Sequence, residues 1–337
     1  MRAVVYEDTC KIDQPDALLD VELPDPSCGP ADLLVRVEAI SVNPVDTKVR
    51  RGVKPEGRRV LGWDAVGVVE AVGAKAAGFE RGDRVWYAGE LNRPGCNAEL
   101  QAVDARLVSK APRSLSPEQA AALPLTSITA WEMLFERFRM PAGKEPRGEV
   151  LLVSGAAGGV GSILVQLAAR LTAATVVGTA GRAESKAWLS ELGAHHVVDY
   201  REPLSPQLAS LAIGPVTHVA SLTQSERYFP QFLELMAPFG QIALIDDPSE
   251  LNVMPMKRRS LSLHWELMFT RSLFQTADLS AQGRLLSEVA ALVDAGVLRT
   301  TVSQNLGAIN AENLRRAHAL IESGGSRGKL VLAGFGA

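Results

Sequence analysis

The chain is poor in the features that announce several protein classes. It has three cysteines, Cys10, Cys28 and Cys96, far apart and without a CxxC pair. That excludes a disulfide framework and fits a reducing compartment. Charge of one sign is lacking too: 35 Lys and Arg face 38 Asp and Glu, for a net −3. A binder of nucleic acid by bulk electrostatics is therefore not expected. The N-terminal residues Met1–Asp8 lack the apolar core of a signal peptide, so the expected location is cytoplasmic. No fixed-period repeat or low-complexity tract is present. Between Val150 and Ala169 no residue carries a charge, a length that could cross a bilayer. The glycines at 155, 158, 159 and 161 argue instead for a strand, a tight turn and a buried helix.

What is there is a globular composition, 47% hydrophobic and 22% charged over 337 residues, enough for two domains at about 150 residues each. The first part reads as short strands at Arg2–Tyr6, Leu19–Leu23, Leu33–Val42, Gly67–Val72, Asp83–Tyr87 and Ala98–Val103, separated by Gly- and Pro-containing turns. A small β-barrel or sandwich is expected. From about Leu123 the rhythm becomes strand and helix in alternation, with strands at Val150–Ser154, Thr175–Ala180, His196–Tyr200, Thr217–Leu222, Gln241–Ile245 and Ser260–Trp265. Helices are expected at Glu184–Leu192, closed by Gly193, and near Ser225–Ala237. This alternation implies a doubly wound parallel sheet, an α/β fold. Helical patterns at Ala281–Ala295 and Ala311–Glu322 precede a last strand, Leu330–Ala333.

The most informative segment is Ser154-Gly-Ala-Ala-Gly-Gly-Val-Gly-Ser162. It follows an apolar strand and opens an amphipathic helix, the setting of a dinucleotide fingerprint. Ala156, Gly158 and Gly161 give the AxGxxG spacing, and Gly159 and Val160 lie in the same turn. Small residues let backbone N–H groups approach a pyrophosphate at a helix N-terminus. Ser162 rather than Lys follows the last glycine, which excludes a Walker loop. The second strand ends at Thr179-Ala-Gly181-Arg182 with no acid to hold a ribose 2′-hydroxyl. Arg182 and Lys186 instead offer cations to a 2′-phosphate, so NADPH is the expected cofactor.

Other motifs fail on context. Gly324-Gly-Ser-Arg-Gly328 matches GxSxG but lies after a helix and before a strand, the reverse of a hydrolase. The five histidines sit away from the cysteines and suggest no zinc cluster.

Taken together, the segments Asp32-Leu-Leu-Val-Arg-Val-Glu-Ala-Ile-Ser-Val-Asn-Pro-Val-Asp-Thr-Lys48, Leu61-Gly-Trp-Asp-Ala-Val-Gly-Val-Val-Glu-Ala-Val-Gly73, Phe79-Glu-Arg-Gly-Asp-Arg-Val85 and Pro124-Leu-Thr-Ser-Ile-Thr-Ala-Trp131, followed by the glycine turn, resemble the medium-chain dehydrogenase/reductase superfamily. The similarity is to its zinc-free quinone oxidoreductase-like branch, including proteins labelled zinc-type alcohol dehydrogenase-like. It implies a GroES-like β-barrel catalytic domain over residues 1–123, completed by 271–337, around a Rossmann domain at 124–270. It implies Asn43 and Asp46 as catalytic positions and Thr129 as a residue near the nicotinamide. It also implies that Lys186 and Tyr200, with Gly181 and Arg182 nearby, meet the 2′-phosphate. Where zinc enzymes of the superfamily carry metal ligands, this chain has Asn43, Trp63 and a residue near Leu125, so no metal is expected. The four-cysteine structural lobe is missing.

The implied activity is NADPH-dependent reduction of quinones, enones or other activated carbonyl compounds, since no metal is available to polarise an unactivated ketone. Enoyl-thioester reduction and nucleotide binding without turnover are the alternatives. Ser260–Trp265 is expected to be the outermost strand of the sheet. Lacking charge or proline, it should pair with a second copy to form a homodimer.

Overall fold

Alternation of inward and outward residues along Asp32–Val42 produces the eleven-residue strand on which the first unit is built. In the computed structural model, which describes residues 1–336, this strand pairs along one edge with Ala65–Val72. Its other edge is shared: Asp32–Arg36 pairs with Leu100–Asp104, and Ala39–Val42 pairs with the C-terminal strand Lys329–Ala333. Two register shifts bend the pairing with Ala65–Val72. Gly67 sits at this bend, where an added Cβ would lie 2.2 Å from the Arg36 carbonyl oxygen. Val302–Asn305, Arg84–Tyr87 and Ser109–Lys110 complete a seven-stranded sheet. A smaller sheet joins Leu19–Glu22, Arg2–Tyr6 and Arg59–Val60.

The chain divides into two units, Met1–Ile128 with Phe269 onward, and Thr129–Met268. The first division falls inside the helix Pro124–Trp131, a few residues later than a boundary at 124. The helix starts against the first unit, where the Leu125 N–H donates to Asp64.

The helix Pro44–Gly52 starts where the long strand ends. Asn43 is its extended N-cap, Pro44 takes the first turn, and the Asp46 carboxylate accepts the Asn43 backbone N–H at 2.7 Å. These are the features of a helix start. Near its other end Arg50 is fully buried. Its guanidinium donates to the Cys10 carbonyl, to Glu322 and to His318 Nδ1. His318 is buried on the helix Ala311–Glu322, and burial pushes its imidazole down to about 3. A neutral ring is the form able to accept from Arg50.

The second unit is a six-stranded parallel sheet in the spatial order His196–Val198, Thr175–Thr179, Val150–Ser154, Val216–Ser221, Met236–Leu244, Ser262–Trp265. This is the doubly wound order, with its switch point beside Val150–Ser154. The last strand is outermost, but it is shorter than 260–265. Met254–Arg259 forms a 3-10 turn that ends at Ser260 in the left-handed region, φ 50°. The third strand also stops early, at Val198, which leaves Asp199, Tyr200 and Arg201 in a turn. Gly193 caps the helix Ala183–Leu192 at φ 105°, a conformation that favours glycine. The uncharged run is the strand Val150–Ser154 followed by the helix Gly159–Leu171. Among the described residues no helix is long and apolar enough to cross a membrane.

Candidate active site

In the second unit the glycine turn links the first strand to the helix Gly159–Leu171. Gly155 takes φ 70°, and Gly158 is the N-cap, with Gly159, Val160 and Gly161 opening the helix. A Cβ on Gly161 would lie 2.3 Å from the Ala156 carbonyl oxygen and 2.5 Å from its Cα. No side chain fits there, so helix and turn are in backbone contact. Ala156 is fully buried, and a Cβ on Gly178 of the second strand would meet the Ala156 methyl at 3.2 Å. At Gly158, by contrast, the nearest atom to an added Cβ is the Gly155 carbonyl oxygen at 3.3 Å. The first N–H groups of the helix have no intrahelical acceptor. They open onto this small-residue cradle, an arrangement that fits a pyrophosphate.

Past the second strand, the expected nucleotide residues come together around Gly181. The Tyr200 ring covers it closely: an added Cβ would be 3.0 Å from Cζ, 3.1 Å from the hydroxyl and 3.1 Å from Arg201 Nε. Arg182 is the exposed N-cap residue of the next helix. Lys186, one turn on, is paired with Asp199 at 3.0 Å. This corrects the expectation that no acid stands near these cations. Asp199 also binds Arg201 at 2.6 Å, and these bonds hold its carboxyl well below the usual carboxylate range. Both Asp199 and Arg201 were missed as site residues, although they flank Tyr200 in the sequence. Thr129 lies buried in the helix Pro124–Trp131.

In the first unit Asn43 and Asp46 are brought together, with three partners that sequence reasoning did not single out. Asp64 is fully buried. Its Oδ2 accepts from Ser41 Oγ and Asn43 Nδ2, both at 2.8 Å, and is ion-paired with Lys329 Nζ at 3.2 Å. Its Oδ1 accepts the Leu125 N–H at 2.7 Å. Three hydrogen bonds and the ion pair with Lys329 match an ionised carboxylate. Lys329, itself 3% exposed, donates to the Val42 carbonyl at 2.9 Å and to Asn43 Oδ1 at 2.6 Å as well. The Asn43 amide is therefore held at both ends. A lone lysine heading the apolar run Leu330–Ala333 was the available signal.

Burial raises both carboxyls, Asp64 against the pull of Lys329, and Asp46 from 3.8 to about 7 against the Asn43 N–H and Lys329. The positions that resemble zinc ligands carry an amide, an indole and an isobutyl group. Trp63 is buried, donates Nε1–H to the Glu90 carbonyl at 2.9 Å and meets Phe269 edge-on. Zinc takes thiolate, imidazole or carboxylate ligands, so this donor set does not fit it. Among the described residues no group of three or more His, Cys, Asp or Glu could hold a metal ion.

The raised Asp46 carboxyl has a consequence for stability. The folded chain binds this proton more tightly than the unfolded chain, so stability falls as pH rises from about 4 to about 7. Asp46→Asn should therefore gain on the parent by about 2–3 kcal/mol between about pH 5 and about pH 8. Urea unfolding at the two pH values measures this, and a difference independent of pH would refute it.

A family model described as alcohol dehydrogenase GroES-like domain matches residues 29–113, and one described as zinc-binding dehydrogenase matches residues 192–332. A zinc-type alcohol dehydrogenase-like protein of Staphylococcus aureus strain MSSA476 is 36% identical over 98% of this chain and 99% of its own. A crystal structure from Rhizobium etli CFN 42, provisionally described as a zinc-dependent alcohol dehydrogenase, is 49% identical with a TM-score of 0.97, covering 100% of this chain and 99% of that one. A quinone oxidoreductase of Pseudomonas syringae pv. Tomato DC3000 is 26% identical with a TM-score of 0.83, covering 98% and 99%. With its GroES-like and Rossmann folds, the chain belongs to the medium-chain dehydrogenase/reductase superfamily of oxidoreductases, in the quinone oxidoreductase-like branch.

Proposed function

We propose that the protein is an NADPH-dependent reductase of quinones, enones or other activated carbonyl compounds and works without zinc. The observation that carries the cofactor reading is the end of the strand Thr175–Thr179. There Gly181 lies under Tyr200 with Arg182, Lys186 and Arg201 around it, and no acid follows the strand directly. The glycine cradle would hold the pyrophosphate, Thr129 would stand near the nicotinamide, and Arg182, Lys186 and Tyr200 would meet the 2′-phosphate. The bound dinucleotide supplies the hydride. In the first unit, Asn43 has its oxygen and one amide hydrogen committed to Lys329 and Asp64. The remaining amide hydrogen would donate to the oxygen of the reduced acceptor. Asp46 acts through Asn43 by fixing its backbone.

The similarity to a quinone oxidoreductase favours quinones among activated acceptors. Loss of NADPH absorbance with phenanthrenequinone, with crotonyl thioester and with no acceptor tests the reading. Turnover of the quinone, undiminished by a chelator and reduced in kcat by Asn43→Ala, is the expected result. Turnover of the thioester alone, of neither acceptor, or only with about one bound zinc per chain would overturn it.

Cofactor choice has its own test. A charge-assisted hydrogen bond contributes about 1.5–3 kcal/mol, so Arg182→Ala should weaken NADPH binding by roughly ten- to hundredfold. NADH binding should stay nearly unchanged. Equal loss for both cofactors would count against a 2′-phosphate at this place.

We also propose a homodimer through the second unit. Ser262–Trp265 is the outermost strand, Trp265 is 56% exposed, and the strand carries no proline or acid to deter pairing. Pairing with its own copy about a two-fold axis would join two sheets. Light scattering should give twice the 36.0 kDa chain mass. A mass of one chain across the micromolar range would exclude the dimer.

A further inference from the structure

We infer that Asp199 is a positioning residue for cofactor selectivity, holding Lys186 and Arg201 as a preformed pair of cations for the 2′-phosphate of the dinucleotide. The inference rests on the NADPH reading above and adds to it two residues and a division of labour.

The geometry is layered. Asp199 Oδ1 accepts from the Arg201 backbone N–H at 3.0 Å and from its Nε at 2.9 Å. Oδ2 accepts from Arg201 Nη2 at 2.6 Å and from Lys186 Nζ at 3.0 Å. The carboxylate is the inner member of this group: its side chain is 13% exposed, against 41% for Lys186 and 62% for Arg201. Its two cations therefore spend their inner N–H groups on Asp199 and keep outer ones toward solvent. Arg201 Nε lies 3.1 Å from where a Cβ on Gly181 would be, beside the Tyr200 ring. The pair thus stands at the end of the second strand, where a doubly wound fold meets the adenosine ribose.

Asp199 is itself held from behind. Its backbone N–H donates to Gln207 Oε1 at 2.8 Å, and Gln207 Nε2 donates back to its carbonyl at 2.9 Å. Gln207 sits on the helix Leu204–Ser210. The second strand is tied to the same place, since the Ala180 N–H donates to the Val198 carbonyl.

Two effects of opposite sign meet at Asp199. Its charge repels a phosphate, but the two cations paired with it offset that charge. Against this, Lys and Arg carry among the largest side-chain entropies, and ordering them before the ligand arrives removes that cost from binding. With four donors already on the carboxylate and both cations outside it, preorganisation outweighs repulsion. A 2′-hydroxyl needs neither cation, so NADH should be indifferent to Asp199.

The test is equilibrium titration of NADPH and NADH by protein fluorescence with the full chain. Asp199→Ala should weaken NADPH by about five- to twentyfold, the scale of weakened charge-assisted bonds, and leave NADH unchanged. Unchanged NADH binding is also the check that the variant is folded. Should Asp199→Ala fail to fold, Asp199→Asn keeps the side-chain size and carries the same expectation. In a chain that already carries Lys186→Ala and Arg201→Ala, removing Asp199 should not weaken NADPH further. Unchanged or tighter NADPH binding without Asp199, or the same loss in the chain without the two cations, would overturn the inference. The two readings fail differently: a parent chain without preference for NADPH ends the cofactor reading, whereas a preference that survives Asp199→Ala ends only the role of Asp199.

Discussion

The first unit is organised around a carboxylate that water does not reach. A buried ion costs several kcal/mol unless its charge and its lone pairs are matched, and Asp64 is matched on all sides. Its donors come from the end of the long strand at Ser41, the helix start at Asn43 and the helix Pro124–Trp131 at Leu125, and its counter-ion from the final strand at Lys329. These segments are scattered over most of the chain, so the carboxylate is satisfied only when all of them have converged. The C-terminal strand therefore belongs to the first unit for an electrostatic reason as well as for its ladder with Ala39–Val42. Arg50 repeats the device at the other end of the helix Pro44–Gly52, where a fully buried guanidinium needs Cys10, His318 and Glu322.

The second unit solves a different problem with different means. Its turn must bring backbone N–H groups to a charged ligand, and side chains would stand in the way. Glycine at 161 lets the helix touch Ala156, and Leu189 together with the buried Ala156 crowds position 178, where a glycine stands. The contact is steric, not ionic, and one methyl group in the wrong place would separate helix from strand. Charge enters only at the rim, on exposed side chains around Gly181. Such side chains contribute little to folding stability, which leaves them available for selectivity.

The fold was largely legible because its signals are local and repeated. Strand rhythm, the cluster of glycines and the stop at Gly193 place most elements within a few residues, although the strand expected at Gln241–Ile245 begins at Met236. The edge position expected for the last strand is the one observed, although Ser260 and Leu261 precede it. Two kinds of element escaped. Val302–Asn305 is polar and half exposed, so no periodicity marks it. The helix Pro44–Gly52 has a start signal in Asn43, Pro44 and Asp46, but these residues stood out for their chemistry and not as a helix start. Partners within the sites were harder still. Lys329 and Asp64 lie far apart along the chain and meet only through sheet topology. Asp199 reaches Lys186 because two parallel strands end side by side, a proximity that spacing along the chain does not reveal.

The charge balance of the buried cluster bears on the chemistry open to it. Lys329 and Asp64 cancel, and the ammonium donates to Val42 and Asn43 beside its ion pair with Asp64. With its carboxyl near 7, Asp46 adds at most a partial negative charge at neutral pH. The cluster thus provides an oriented amide and no net positive charge with which to polarise a carbonyl. A metal ion in such a place would stabilise a developing alkoxide by several kcal/mol, and one amide hydrogen does much less. On the proposed reading, with the acceptor at this amide, the difference has to be made up by the acceptor. Quinones and enones meet that demand because their reduced anions are delocalised before any protein group touches them. An unactivated ketone or an alcohol does not, and for these the same constellation would lack the driving force.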